Sequence, residues 1–360
     1  MRILFDASFC TGTKVGISTY IFRLVPELAN LGEVTVLTSF PELFAGLRCS
    51  VIPIPAWTRT NRGRLLWQLS RLAPLAHGKQ TVLFCPTPVA PPGCRIPVIS
   101  VVHDLTPLRL PSLQHSKTKL LFWLPLQTLR WADAVITDSR HTRVDLLETK
   151  LVPPQRIYTV PLGPGIAPEL SSSGDSCSAA VPEFPFILYV GGHIPNKNVP
   201  RLIRAFSQIR YREELKLVIV GWGWTDHIQR TRMAVERCGV ADKVVIYDEL
   251  SDRELSLLYR RAAVFVFPSL YEGFGLPVLE AMAHGTPCVC SSAASIPELA
   301  GDAAIYVDPY NTDSIRQGIE LILENKELSE ELSSRARRRA ATYSWKRTAQ
   351  AVYQIARSLL

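Results

Sequence analysis

The chain has 360 residues, 47% of them hydrophobic and 20% charged, and a formal net charge of +8 at pH 7. This length allows two ordinary domains, each with its own core. No apolar run reaches the roughly 18 residues that span a bilayer, and the longest candidate, Leu120–Leu129, is short and holds Pro125 and Gln127.

The N-terminus, MRILFDASF, has no apolar core of signal length and reads as a first strand, Arg2–Asp6, so the expected location is the cytoplasm. A loop with Gly12 and Gly16 leads into a helical pattern from Ile17 to Asn30. Gly16 there either lets an anion approach the backbone or is an ordinary turn glycine. Strands are predicted at Glu33–Leu37 and Cys49–Ile52. Residues 56–79 then interleave Arg59, Arg62, Arg64 and Arg71 with Trp57, Leu65, Leu66, Trp67 and Leu69. This is either a domain helix with its arginines in solvent or a basic amphipathic helix for an anionic membrane surface.

Strands at Thr81–Cys85 and Pro97–Val102 continue the alternation, and the second ends at His103, Asp104 and Leu105. A histidine just past a parallel strand stands where α/β proteins place their ligands. A long helix is predicted over Gln114–Trp131 with an irregularity at Pro125, then strands at Asp133–Thr137 and Arg156–Val160, with Ser139 capping the helix between them. Residues 1–170 hold 18 basic and 10 acidic side chains, the remainder 22 of each, so the whole excess belongs to the first half. No nucleic-acid motif accompanies it.

Leu162–Pro185, rich in glycine, proline and serine, is the predicted linker, which makes residues 1–165 the first domain and 183–343 the second. The second restarts with a strand at Phe186–Val190 and a turn over Gly191–Asn198, in which Lys197 is placed to meet a phosphate. Strands at Leu215–Val220 and Lys243–Tyr247 follow, the latter running into Asp248–Leu250, and helical patterns cover Asp313–Glu324 and Ser329–Thr342. GWGWTD after the first of these strands lacks the third glycine of a dinucleotide fingerprint. The eight cysteines show no zinc spacing; Cys288 and Cys290 share one face of a strand, and reduced thiols are the simplest reading.

The chain is organised around Val264–Gly285, VFVFPSLYEGFGLPVLEAMAHG. A β-branched and aromatic run marks a buried parallel strand; Gly273 and Gly275 form a loop; Leu276–His284 is a helix with Pro277 at its start and Gly285 at its end. The first amides of such a helix carry about half a positive charge and make an anion site. Glu272 in the loop is placed to accept hydrogen bonds from the amides of Gly273, Phe274, Gly275 and Leu276 and from sugar hydroxyls. Glu280, one turn in, could chelate two vicinal hydroxyls of a ribose. The alternatives are a helix cap and a surface ion pair.

These residues resemble the E-x7-E signature of the retaining family 4 glycosyltransferases. Further likenesses are YVGG-x4-KN at Tyr189–Asn198, SIPELAGDAAIYVDP at Ser295–Pro309 and the HDL at His103, which is similar to bacterial mannosyl- and glucosyltransferases of polysaccharide synthesis. The resemblance implies a GT-B architecture, two facing doubly wound Rossmann-like α/β domains with an interdomain cleft and a C-terminal helix, about 344–360, crossing back to the first domain. It also implies that the Gly16 loop faces a donor diphosphate, that backbone groups of Asp248–Leu250 read the base, that His103 and Glu272 act on the reacting sugar, and that Lys197 opposes the charge of the departing diphosphate. The family often has an arginine beside Lys197; this chain has none over Gly191–Asn198.

The implied reaction moves a hexose from a nucleoside diphosphate sugar, a co-substrate and not a resident cofactor, to a saccharide or lipid-linked acceptor. UDP-glucose and GDP-mannose are both open, with family frequency tipping toward a UDP-sugar. No D-x-D pair of acids is present, so no metal is expected. Covalent catalysis by Glu272 and attack on the leaving group's own face both remain, the resemblance favouring the second. A nucleotide-sugar epimerase and a non-catalytic sugar-nucleotide or membrane-surface binding protein are the competing classes.

Overall fold

A computed structural model describes residues 1–10, 16–111, 122–168, 182, 184–210 and 212–360. They form two compact units, Met1–Gly163 with Ser344–Leu360, and Pro164–Tyr343.

The first unit is built on a seven-stranded sheet of β1 (Arg2–Asp6), β2 (Glu33–Thr38), β3 (Ser50–Pro53), β4 (Thr81–Cys85), β5 (Val98–Val102), β6 (Ala134–Thr137) and β7 (Ile157–Thr159), in the order β3-β2-β1-β4-β5-β6-β7. Every neighbouring pair is parallel. Strands β4, β5 and β6 are buried throughout, which is why they read as unbroken apolar runs. The order reverses between β1 and β4, so the crevice beyond their carboxyl ends is where such a sheet receives ligands.

Helix α1 (Ile17–Ala29) covers this sheet with Tyr20, Ile21, Leu24, Val25 and Leu28 inward. The basic segment becomes a 3₁₀ turn, Ala56–Arg59, followed by α2 (Asn61–Ser70), whose N-cap Thr60 accepts from the Gly63 amide. The expectation that its arginines lie in solvent fails at Arg64, which is 4% exposed. Its guanidinium lies 3.6 Å over the Phe9 ring and donates to the Ser8 carbonyl, so stacking and hydrogen bonds replace the water it loses. Leu66, counted with the apolar residues, is exposed instead. Part of the helix predicted over Gln114–Trp131 falls outside the described residues; its end turns into a 3₁₀ segment, Gln127–Trp131, just after Pro125. Helix α3 (Arg140–Glu148) is capped by Ser139, which accepts from the Thr142 amide.

The second unit carries a six-stranded sheet of β8 (Phe186–Val190), β9 (Lys216–Val220), β10 (Val244–Tyr247), β11 (Val264–Phe267), β12 (Cys288–Ser291) and β13 (Ala304–Val307), ordered β10-β9-β8-β11-β12-β13 and again parallel throughout. Its switch point lies between β8 and β11. The helices α4 (Val199–Ser207), α5 (Thr225–Arg237), α6 (Asp252–Arg261), α7 (Leu276–His284), α8 (Thr312–Glu324) and α9 (Lys326–Ala340) follow in chain order. Cys288 and Cys290 are buried free thiols on β12, while Cys177 lies outside the described residues.

The last helix, α10 (Trp345–Ser358), belongs to the first unit and packs on α1. Thr348 donates to the Pro161 carbonyl at 2.7 Å, and Trp345 meets Tyr20 edge to face, with ring centroids 5.7 Å apart. No described helix is long and apolar enough to cross a membrane.

Candidate active site

In the second unit the loop after β11 and the turn after β8 meet at the switch point. Asn198 makes them one body. Its backbone is left-handed (φ 63°), a conformation asparagine tolerates, and its side-chain amide donates to the carbonyls of Pro268 (3.0 Å) and Pro309 (2.7 Å). Asn196 adds two bonds, accepting from the Leu270 amide at 2.7 Å and donating to the Tyr271 carbonyl at 3.3 Å. Lys197, between them, lies in a 3₁₀ turn, Pro195–Lys197, one residue ahead of α4.

Lys197 Nζ consequently reaches Glu272, 2.7 Å from Oε1 and 2.8 Å from Oε2. The predicted partners of this carboxylate are the amides of Gly273–Leu276; the structure brings the Lys197 ammonium to it. Ser295 fixes the loop from below, donating to the carbonyls of Glu272 (2.9 Å) and Phe274 (3.1 Å). Gly275, the N-cap of α7, has φ 105°, and a Cβ there would stand 2.6 Å from Ile296 Cδ1. Backbone strain and close packing both demand glycine. A glycine N-cap also offers no side chain to the first-turn amides, so that end of α7 keeps its attraction for an anion.

Glu280 is 8% exposed, and its Oε2 accepts from Tyr259 Oη of α6 at 2.8 Å. It is therefore not a surface group. Burial, then the Glu280 carboxylate, push the Tyr259 phenol well up, so it stays a donor. Asp248 is exposed and Leu250 half-buried at the end of β10, directly before a capping box in which Ser251 N donates to Glu254 Oε2 at 2.9 Å.

In the first unit Gly16 is the N-cap of α1 at φ 53°, and a Cβ there would meet nothing within 4 Å, so the backbone angle and not crowding selects glycine. His103 lies past β5 with 20% of its side chain exposed. Its Nδ1 is 2.7 Å from Asp138 Oδ2, and its Nε2 donates to the Pro86 carbonyl at 3.1 Å. Tyr20 of α1 packs edge-on against the ring at 4.8 Å. Burial opposes a charged ring, but Asp138 and the Pro86 carbonyl outweigh it and lift the His103 pKa above its ordinary value. Burial also raises Asp138, which His103 lowers in part.

Three partners escaped the sequence reading. Asp138 ends β6 and obeys the same strand-end rule as His103, so the signal was present. Ser295 stood inside a recognised motif, with no sign of its loop-tying role. Tyr259, on a different helix from Glu280, left no local trace. Among the described residues no group of three His, Cys, Asp or Glu side chains could hold a metal ion.

The second unit sets an ammonium beside a helix N-terminus at its switch point; the first unit carries a polar histidine cluster at its own strand ends. Residues 15–164 match Glycosyltransferase Family 4, and residues 178–339 match Glycosyl transferases group 1. The chain belongs to the family 4 glycosyltransferases. It is 27% identical to the O-antigen chain mannosyltransferase B of Escherichia coli over 96% of both chains. Among solved structures it is similar to sucrose-phosphate synthase of Thermosynechococcus elongatus, with a TM-score of 0.78, 21% identity and coverage of 99% and 98%. It is also similar to HepE of Anabaena in complex with UDP and glucose, with a TM-score of 0.79, 17% identity and full coverage of both chains. These likenesses give it the GT-B fold.

Proposed function

We propose that the protein transfers a hexose, with retention, from a nucleoside diphosphate sugar to a hydroxyl of a saccharide or lipid-linked saccharide acceptor in polysaccharide synthesis. The observation that carries this reading is the Lys197–Glu272 pair set beside the glycine-capped start of α7. Cleavage of the sugar–diphosphate bond leaves negative charge on the departing group, and a fixed ammonium and helix N-terminus stabilise it without reorganising. Each such donor can contribute roughly 3 kcal/mol at a developing anion. Glu272 holds Lys197 in place before the donor arrives, and Glu280, oriented by Tyr259, takes the ribose.

With the leaving charge met by protein groups, the reaction as proposed runs without a metal. The acceptor hydroxyl attacks from the leaving group's own face, where the phosphate can take its proton. The first unit takes the acceptor, and His103 binds a saccharide hydroxyl. Mannose is preferred over glucose because the E. coli relative, matched along nearly its whole length, is a mannosyltransferase; GDP-mannose is then the donor. A lipid-linked acceptor would place the enzyme at the inner face of the plasma membrane.

The test is a thermal-shift panel of nucleotide sugars, since a ligand that binds only the folded state raises its stability by mass action. GDP-mannose is expected to raise the unfolding temperature most and to be consumed when an acceptor is added. No response to any nucleotide sugar would overturn the proposal.

A further inference from the structure

We propose that Asp138 is a positioning residue that keeps His103 as an imidazolium, so that the ring serves the bound saccharide as a hydrogen-bond donor and not as an acceptor or base. The proposal deepens the glycosyl-transfer reading and rests on it for the identity of the ligand.

Geometry places both protons. A carbonyl oxygen can only accept, so Nε2, 3.1 Å from Pro86 O, carries a hydrogen. The Nδ1–Oδ2 contact of 2.7 Å contains the second proton. Imidazole is ordinarily the more basic partner, about 6.5 against about 3.9, so that proton belongs to Nδ1. Asp138 is suited to keep it there. The residue is 2% exposed, and among the described residues nothing donates to its Oδ1. A carboxylate denied water and further donors draws its one cation strongly.

Among the described residues the charged and titratable groups around the ring are Asp138 at the end of β6, Asp104 next along the chain, and Tyr20 on α1. Burial and Asp138 hold the Tyr20 phenol well above its ordinary value, so it stays neutral. No cation is among them to compete for Asp138. The paired ring and carboxylate are together neutral, so the cluster can donate from Nε2 to a saccharide oxygen without adding a net charge. The Pro86 carbonyl keeps this donor aimed until a saccharide oxygen takes its place.

Nitrogen-15 NMR of histidine-labelled protein, with the His103 signals assigned by His103→Gln, reads the protonation state directly. Wild type is expected to show both ring nitrogens protonated at pH 7 and a midpoint above about 6.5. In Asp138→Asn burial is left without its counterweight, so the midpoint falls below that value. The descending alkaline limb of the kcat profile then moves to lower pH, and kcat falls by on the order of 10²-fold with KM for the donor nearly unchanged. Asp138→Glu is expected to restore the midpoint in part. A neutral His103 ring at pH 7 in wild type overturns the proposal, as does a protonated Asp138 donating to a bare Nδ1, and both results are read from the wild-type ring itself. Failure of the glycosyl-transfer reading would instead appear as no turnover with the NMR titration intact.

Discussion

Lys197 and Glu272, 75 residues apart in sequence, meet with both carboxylate oxygens on one ammonium, at 2.7 and 2.8 Å. Both side chains are largely buried, so each depends on the other for its charge balance. In the proposed complex a donor diphosphate shares this ammonium with Glu272.

Removing the cation alone therefore leaves a carboxylate confronting the diphosphate. Lys197→Ala is expected to weaken binding of the bare nucleoside diphosphate by roughly 1.5–3 kcal/mol, the range for hydrogen bonds to charged groups. Adding Glu272→Gln to that variant should recover part of the loss, because it removes the uncompensated charge. Calorimetry on the four proteins of the cycle measures the coupling, and strictly additive losses would show that the two residues do not act as a pair.

Glu280 makes a structural bond to Tyr259 and, in the proposed site, also binds the ribose. Glu280→Ala is expected to cost roughly 1.5–3 kcal/mol of nucleotide affinity and also to lower the unfolding temperature by stranding the Tyr259 hydroxyl. Tyr259→Phe removes the hydroxyl while keeping the ring; it should cost stability of about 1 kcal/mol and affect affinity less. Calorimetry and thermal unfolding separate the two effects. Unchanged affinity in Glu280→Ala would remove Glu280 from the site.

Asn198 ties the β8 turn to the β11 loop from a left-handed backbone. Asn198→Ala loses both carbonyl bonds and adds about 1–2 kcal/mol of backbone strain, so it should destabilise more than Asn198→Gly, which loses the bonds alone. Because Lys197 is the preceding residue, both should also weaken nucleotide binding. Equal unfolding temperatures for alanine and glycine would mean the strain argument is wrong.

The +8 charge resides in residues 1–170, and a lipid-linked acceptor would place them at an anionic surface. Binding to anionic vesicles is expected to weaken as added salt shortens the Debye length below its value of about 10 Å at 0.1 M. Equal sedimentation with neutral and anionic vesicles would rule the surface out.

The central parallel strands were legible because burial on both faces writes each as a continuous apolar run, and α7 because proline and glycine punctuate it; β13, half-buried along its middle, was not predicted. Glu272, Glu280, Lys197 and His103 were legible as positions at strand and helix ends. How they pair was not. Pairings such as Lys197–Glu272, Tyr259–Glu280 and His103–Asp138 arise only when the sheet order brings distant loops together, and no local pattern encodes that order. Arg64 shows the same limit from another side: its charge reads as solvent-facing until Phe9 and the Ser8 carbonyl are seen beside it.

Retaining hexosyl transfer from a nucleotide sugar is tested most sharply by the anomeric configuration of the product. The enzyme is incubated with GDP-mannose, whose sugar is α-linked, and a saccharide acceptor, and the new linkage is examined by NMR before any slow equilibration. An α-mannosyl product is the expected result. A β-linked product, or release of free mannose with no linkage formed, would contradict retaining transfer.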